Sequence, residues 1–376
     1  MEKNQILPGE VLANLLLDKG APCLTLTVSL EKLNPAREAN SRILKEYTSL
    51  VEDQWQRLFP GKNGQFFLEP LHDFIDKIDL GNPPLGIGIY ISPKQAHCIH
   101  FLFAPPMRVC WNDRFLIRDL VYQLQLQQRF LLLTVTEKRA RLFECENDQC
   151  SQIQDGVIST PFYDNYEYNS PARSTSYAGY SHVKSYEREE EEVLAAHRRK
   201  YFKVVKERLA QYRTHQTPLV LVAQKELLSE LDLEGKANEP VVHVNRDPSH
   251  DSASTLAKLA IAPVYAMQEK KVEKLIGEWN ELVGKGFTRT GLQACWRAAQ
   301  EGNCRILLVE QTYSKPGYLL HDPYYLFLSP PAGMHTTLPD AVDDLIKVVL
   351  EKRGTVHFTG DELLSSQQKI ALITRY

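Results

Sequence analysis

The chain has 376 residues, of which 43% are apolar and 24% charged, and its formal net charge is −3. That length points to two or three domains with ordinary cores. The acidic balance excludes a globally basic nucleic-acid binder, so any nucleic-acid contact must rest on local patches.

Pro22-Cys-Leu-Thr-Leu-Thr-Val-Ser29 alternates at Leu24, Leu26 and Val28 and predicts a strand. Asn34-Pro35 opens a helix that reaches about Leu58, with Ile43, Leu44, Tyr47, Leu50 and Val51 at helical spacing and Pro60-Gly61 beyond its end. A shorter helix follows at 68–78. Segments 86–91 and 98–103 predict a strand pair joined around Ser92-Pro-Lys. This order gives an α/β N-terminal domain over 1–126.

A second domain is expected over 127–263. Phe130-Leu-Leu-Leu-Thr-Val135 is a short apolar burst, 136–139 a polar turn and 140–144 a second strand. A Tyr-rich loop then runs over 159–186, a charged helix over 188–213, a buried strand over 218–223, a short strand over 241–244 and a helix over 254–261. The loop is polar and lacks apolar anchors, so it is expected to be the most mobile segment. A third domain, 264–376, begins with helices at 264–283 and 290–301 and a strand at 305–310. A strand at 324–328, a helix at 338–353 stopped by Gly354, and strands at 355–358 and 370–373 complete it. Alternating helices and short apolar strands predict an α/β/α sandwich.

No apolar run reaches the roughly 18 residues of a membrane helix. The start Met-Glu-Lys-Asn-Gln lacks the basic-then-apolar order of a signal peptide. A soluble cytoplasmic protein with no membrane partner is expected. The seven cysteines are scattered without Cys-x-x-Cys, which predicts free thiols in a reducing compartment. Cys145 and Cys150 flank an Asn-Asp-Gln turn; a zinc half-site there would lack a second Cys/His pair. His243, His250, Asp247 and Asp251 sit around Asp-Pro-Ser, a common turn sequence. No metal and no cofactor are expected.

The layout strand, strand, long polar loop, long helix, strand resembles the middle domain of archaeal and eukaryotic peptide-chain release factors and of Pelota. Thr290-Gly-Leu-Gln-Ala-Cys-Trp-Arg-Ala-Ala-Gln-Glu-Gly302 with Arg305-Ile-Leu-Leu-Val309, and the close Gly354-Thr-Val-His-Phe358 … Ile370-Ala-Leu-Ile-Thr-Arg-Tyr376, are similar to their third domain. The N-terminal stretches at 22–28, 34–40, 85–92 and 109–115 are similar to the bacterial branch of the superfamily. The resemblance implies an RNase H-like middle domain, a C-terminal domain similar to kink-turn-binding ribosomal proteins, and action on the ribosome. It also locates two departures. In release factors the loop before the long helix carries Gly-Gly-Gln, which reaches the peptidyl-transferase centre. Here the matching stretch is Arg173-Ser-Thr-Ser-Tyr-Ala-Gly-Tyr-Ser-His182, without that motif, and Gly61-Lys-Asn-Gly-Gln65 lies in the wrong domain to replace it. The stop-codon motifs Asn-Ile-Lys-Ser and Tyr-x-Cys-x-x-x-Phe are missing as well.

Tyrosines 163, 166, 168, 177, 180 and 186 in the loop could stack on unpaired bases, against the plainer reading of a low-complexity surface loop. On the following helix, Leu194, His197, Tyr201, Val204, Val205, Leu209 and Tyr212 predict a packed stripe that leaves the basic residues outward. Glu187 and Glu189 to Glu192 suit the positive end of the helix dipole, and an ordinary solvated helix is written the same way. Gly284-Lys-Gly-Phe-Thr-Arg-Thr-Gly291 opens a helix and offers either backbone N–H groups to a phosphate or a structural turn; its glycine spacing is not that of a P-loop. The candidate RNA-contacting residues are Arg173, Tyr177, Tyr180, His182, Lys184, Arg198, Arg199, Lys200, Lys203, Lys206, Lys285 and Arg289. The middle strands carry only Glu144 as a carboxylate, too few for a two-metal nuclease. The expected function is a non-catalytic ribosome-binding factor in hibernation or rescue. Its partners would be the ribosome and ribosomal RNA, with a translational GTPase as a further candidate and no DNA. A peptidyl-tRNA hydrolase with a non-standard loop and a protein-interaction module are the alternatives.

Overall fold

A computed structural model describes residues 8–19, 22–32, 36–147, 149–156, 158, 181–213, 217–231, 233 and 241–376, with the backbone alone at 8, 36 and 181–194. The chain forms two compact units, Met1–Leu126 with Val272–Tyr376, and Gln127–Lys271.

The N-terminal segment consists of α1 (Pro8–Leu17), β1 (Cys23–Ser29), α2 (Ala36–Leu58), α3 (Gln65–Asp76), β2 (Gly86–Ile91), β3 (Ala96–Phe101), β4 (Arg108–Asn112) and α4 (Arg118–Leu126). Its antiparallel sheet has the order β3-β2-β1-β4. Leu24, Leu26 and Val28 join Ile87, Ile89 and Ile91 on one face, where they meet Leu44, Val51 and Trp55 of α2 and Phe67 and Leu71 of α3. Gly88 is required in β2 because a Cβ there would stand 2.5 Å from the Phe101 ring.

The middle unit contains β5 (Arg129–Val135), β6 (Ala140–Glu146), β7 (Gln149–Gln152), α5 (Ser181–Tyr212), β8 (Leu219–Ala223), α6 (Lys225–Leu231), β9 (Val241–Asn245) and the first part of α7 (Ala253–Leu282). The sheet order is β7-β6-β5-β8-β9, antiparallel from β7 to β5 and parallel from β5 to β9. The apolar bursts alternate faces as a doubly covered sheet requires. Leu131, Leu133, Leu219 and Leu221 pack on Phe202, Val205 and Leu209 of α5 and on α6. Phe130, Leu132, Val220 and Val222 pack on Leu256, Ala257, Ala260 and Val264 of α7.

Three expectations differ from the structure. The helices foreseen at 254–261 and 264–283 are one helix through Pro263. A proline costs an interior helix one hydrogen bond, but the buried stripe Leu256, Ala257, Ala260, Val264 continues across it and holds the turn. The helix expected from 188 starts at Ser181, since no glycine or proline interrupts 181–188. Cys145 and Cys150, expected as free thiols, are joined by a disulfide because β6 and β7 place them directly opposite each other.

The C-terminal segment adds β10 (Thr288–Thr290), α8 (Leu292–Gln300), β11 (Ile306–Glu310), β12 (Gly317–Leu319), β13 (Leu326–Phe327), β14 (Thr336–Leu338), α9 (Ala341–Glu351), β15 (Thr355–Thr359) and β16 (Ile370–Ile373). Its main sheet has the order β10-β16-β11-β15, with β11 and β15 parallel, and β12 to β14 form a small separate sheet. Leu307, Val309, Ile370 and Leu372 face α8 and α9. Ile306, Leu308, Ala371 and Ile373 face Leu275, Ile276 and Trp279 in the last part of α7.

The N- and C-terminal segments share one core. Val11, Leu15, Phe115, Ile117 and Leu120 belong to the same apolar cluster as Val342, Leu345, Ile346, Val349 and Phe358. A buried polar network crosses that core. Arg118, 2% exposed, donates to Asp340 at 2.9 Å and to the carbonyls of Tyr313 and Gln311 at 2.7 Å. Asp340 also caps α9 by accepting from the Val342 and Asp343 N–H groups. Asp343 accepts from the backbone N–H groups of Ile117 and Arg118, both at 2.7 Å. Lys347 lies 2.8 Å from both Asp343 and Asp344. Burial alone would lower the Lys347 ammonium, but the two carboxylates outweigh it and raise its pKa.

Asp119 lies at the edge of this network, 3.7 Å from Arg108. Burial pushes its carboxyl up to about 6, against the opposing pull of Arg108 and Arg118. The folded protein therefore keeps this proton to a higher pH than the unfolded chain does. The stability linked to it is present at low pH and lost as pH rises through about 6. At about 1.4 kcal/mol per pKa unit, the span is about 3 kcal/mol. Asp119→Asn, which mimics the neutral form, is expected to exceed the wild type in stability by up to this amount at pH 8 and to match it at pH 4. Urea unfolding at the two pH values checks this, and a variant weaker than wild type at pH 8 contradicts it.

Candidate nucleic-acid interface

Helix α5 is held to the middle sheet by Phe202, Val205 and Leu209, with Tyr201 and Tyr212 half-buried beside them. This corrects the predicted stripe: Phe202 replaces Val204, which is 39% exposed. The Tyr201 hydroxyl accepts from the Ala140 N–H at 2.9 Å, and the Tyr212 hydroxyl donates to Asp155 at 2.8 Å. With helix starting at Ser181, Glu187 and Glu189 to Glu192 lie beyond the first turn, which contains no acid. The dipole effect falls off within one turn, so it does not account for the acidic run.

The candidate cations on α5 separate by environment. Arg198 is half-buried and makes a two-pronged contact with Glu230 of α6, at 2.6 and 2.7 Å. Arg199, Lys200 and Lys203 are exposed, and the Arg199 Nε–H donates to the Ala195 carbonyl of its own helix at 3.3 Å. Lys206 is half-buried. His182 and Lys184 lie in the first turns of α5 by backbone, while their side chains, and Arg173, Tyr177 and Tyr180 entirely, fall outside the described residues, as does the loop segment 159–180 expected to be mobile.

Sequence reasoning missed three contributors. Glu230 lies on α6, a helix of seven residues too short to show periodicity. Lys138 and Arg139 are exposed on the β5–β6 turn, which the Ala140–Tyr201 hydrogen bond ties to α5. The neighbouring Arg141 lies over the Phe143 ring, and burial, then the charge of Arg139, lower its pKa. The run Lys-Arg-Ala-Arg at 138–141 was the available signal.

The second candidate patch precedes α8 in the other unit. Gly284, Gly286 and Gly291 all have positive φ, so the segment is a tight glycine turn. Lys285 is exposed, but the Arg289 guanidinium folds back onto the Gly286 and Thr288 carbonyls at 2.8 Å. The Gln368 side chain packs against Gly291, where a Cβ would come within 2.5 Å of it. This geometry fits a structural turn better than an anion cradle. In the stretch from His243 to Asp251, His243 Nε2 is 3.0 Å from the Leu233 carbonyl, Asp251 pairs with Arg246, and Asp247 accepts from the Ser249 N–H and hydroxyl.

No curated protein matches the chain. Solved structures with similarity include the archaeal translation termination factor aRF1, 12% identical at a TM-score of 0.23 over 98% of this chain and 97% of that one. Archaeoglobus fulgidus Pelota is 14% identical at a TM-score of 0.35, over 77% and 79% of the two chains. Dom34 of S. cerevisiae is 10% identical at a TM-score of 0.36, over 77% and 79%. These superpositions are shallow, and the family match is a separate finding. The model of Bacterial archaeo-eukaryotic release factor family 3 matches residues 129–303, from the first residue of β5 to the residue before Cys304. Through that stretch the chain is similar to the bacterial branch of the archaeo-eukaryotic release factor superfamily.

Proposed function

We propose that this chain is a non-catalytic ribosome-binding translation factor that occupies a tRNA site, in ribosome hibernation or in rescue of stalled ribosomes. The observation that carries this reading is a family match covering the whole middle sheet and α5, combined with a 173–182 stretch that lacks Gly-Gly-Gln. In release factors the paired glycines let the backbone approach the ester and the glutamine helps place the attacking water. Ser174, Thr175, Tyr177 and Tyr180 supply neither. The sheet order β7-β6-β5-β8-β9, three antiparallel strands followed by two parallel ones, supports an RNase H-like middle domain. The C-terminal sheet, with helices on both faces, supports an α/β/α domain like that of kink-turn-binding ribosomal proteins. Domain limits near 127 and 263 belong to the same proposal. Exposed Arg199, Lys200 and Lys203 are the groups best placed to meet ribosomal phosphate, with a translational GTPase as the second partner class.

Purified protein is expected to pellet with 70S ribosomes and to release no peptide from peptidyl-tRNA above background. Failure to co-sediment would favour a protein-interaction module. Robust release, lost on replacing residues 173–182, would establish the hydrolase instead.

A further inference from the structure

Cys145 and Cys150 are five residues apart and face each other across the β6–β7 ladder, with Cα atoms 4.2 Å apart. That separation is the narrow, non-hydrogen-bonded kind of antiparallel pair, in which facing side chains approach most closely. Two thiols and one disulfide therefore suit the same backbone. The bond also adds little as a staple. It closes a very short loop, and stabilisation through the unfolded chain grows with loop length. Pairing of Phe143 with Gln152 and of Glu146 with Gln149 already closes that hairpin.

The remaining cysteines differ in placement. Cys23, Cys295 and Cys304 are buried, and Cys98 and Cys110 half-buried, all outside any disulfide. Burial pushes Cys23, Cys98 and Cys304 up to about 12 and Cys110 to about 11, which keeps them protonated and slow to react. In the facing pair, Cys145 is fully buried in the core, and half-buried Cys150 gives a reagent access.

We propose that Cys145 and Cys150 are a reversible redox pair, oxidised by low-molecular-weight disulfides, and that oxidation locks strand β7 in register. The Cys150 thiolate attacks the small disulfide and expels one thiolate. The Cys145 thiolate then attacks the Cys150 sulfur of the mixed disulfide and expels the second. Two electrons pass from the protein to the small disulfide, and the two thiol protons end on the two small thiols released. Among the described residues, the locked strand is the sheet's edge and pairs with β6 alone. Its continuation is tied to the sheet and to α5: the Ile153 N–H donates to the Leu142 carbonyl, and Asp155 accepts from the Ile158 N–H and the Tyr212 hydroxyl. The covalent state at Cys150 thus sets how firmly the chain is held just before 159–180. None of these steps depends on ribosome binding.

The test equilibrates the full-length protein in glutathione buffers from fully reduced to fully oxidised. Thiol alkylation with mass spectrometry and hydrogen exchange then read the product. The 145–150 bond is expected to form and break reversibly within that range, with the other five thiols alkylated only after denaturation. Exchange at 149–152 is expected to slow by on the order of tenfold on oxidation, because a covalently fixed edge cannot fray. Cys150→Ser should exchange at the reduced rate in every buffer. A bond that survives the most reducing buffer, or never forms in the most oxidising one, overturns the proposal. So does wild-type exchange at 149–152 that ignores the redox state, a readout that stands even if the variant misfolds.

Discussion

Replacing Arg118 with alanine is expected to cost about 3–5 kcal/mol of stability, the range for removing one partner of a buried ion pair. The cost arises because the partners cannot regain water. Asp340 is buried and loses its ion-pair partner, and the Tyr313 and Gln311 carbonyls lose their donors. A domain has only about 5–15 kcal/mol in total, so the loss threatens the whole unit. The midpoint of thermal unfolding should fall by roughly 10 °C. Adding Asp340→Asn to Arg118→Met should recover part of it, since asparagine removes the stranded charge and still caps a helix. Calorimetry on the three proteins decides the matter. A loss below about 1 kcal/mol for Arg118→Ala would mean that water reaches the site and that the network is not sealed.

The second large effect concerns binding. Reversing Arg199, Lys200 and Lys203 to glutamate is expected to weaken ribosome association most at low salt. The slope of log affinity against log salt should become shallower by about 3, one unit for each phosphate that is no longer neutralised. Arg198 is left out, because reversal there would break the pairing with Glu230 and report on folding instead. The three chosen side chains are exposed, so each should change stability by no more than about 0.5 kcal/mol. A folded triple variant that sediments with ribosomes like the wild type at every salt concentration rejects α5 as the binding surface.

Strands built as apolar bursts were legible from the sequence because burial on both faces writes itself into the residues. β5, β8 and β11 are of this kind. Helix α9 was legible through Gly354 beyond its end. Some missed elements have partners far away in the chain, and others carry no apolar pattern. Helix α4 buries Arg118, Asp119 and Gln123, and the charge of Arg118 is met by Asp340, more than 200 residues later. Strand β4 is half-buried throughout and shows no alternation. Strand β7, Gln-Cys-Ser-Gln, has no apolar pattern, so the facing of Cys145 and Cys150 could not be foreseen. Among the candidate cations, the basic run on α5 was visible, but the division between paired Arg198 and exposed Arg199 depended on α6.

The shared core of the outer segments has a consequence for how the chain is made. Leu120, Phe115 and Ile117 emerge from the translating ribosome long before Val342, Leu345 and Ile346, which cover them. At about 5–20 residues per second, the delay is roughly 10–50 s. Residues 127–271 are contiguous and need nothing from either end to complete their own sheet. During synthesis, the inserted unit can finish first, while the N-terminal sheet keeps one apolar face uncovered until the last helix and strands arrive. That nascent face is the natural client surface for a chaperone, and a chain truncated after the middle unit would carry it permanently.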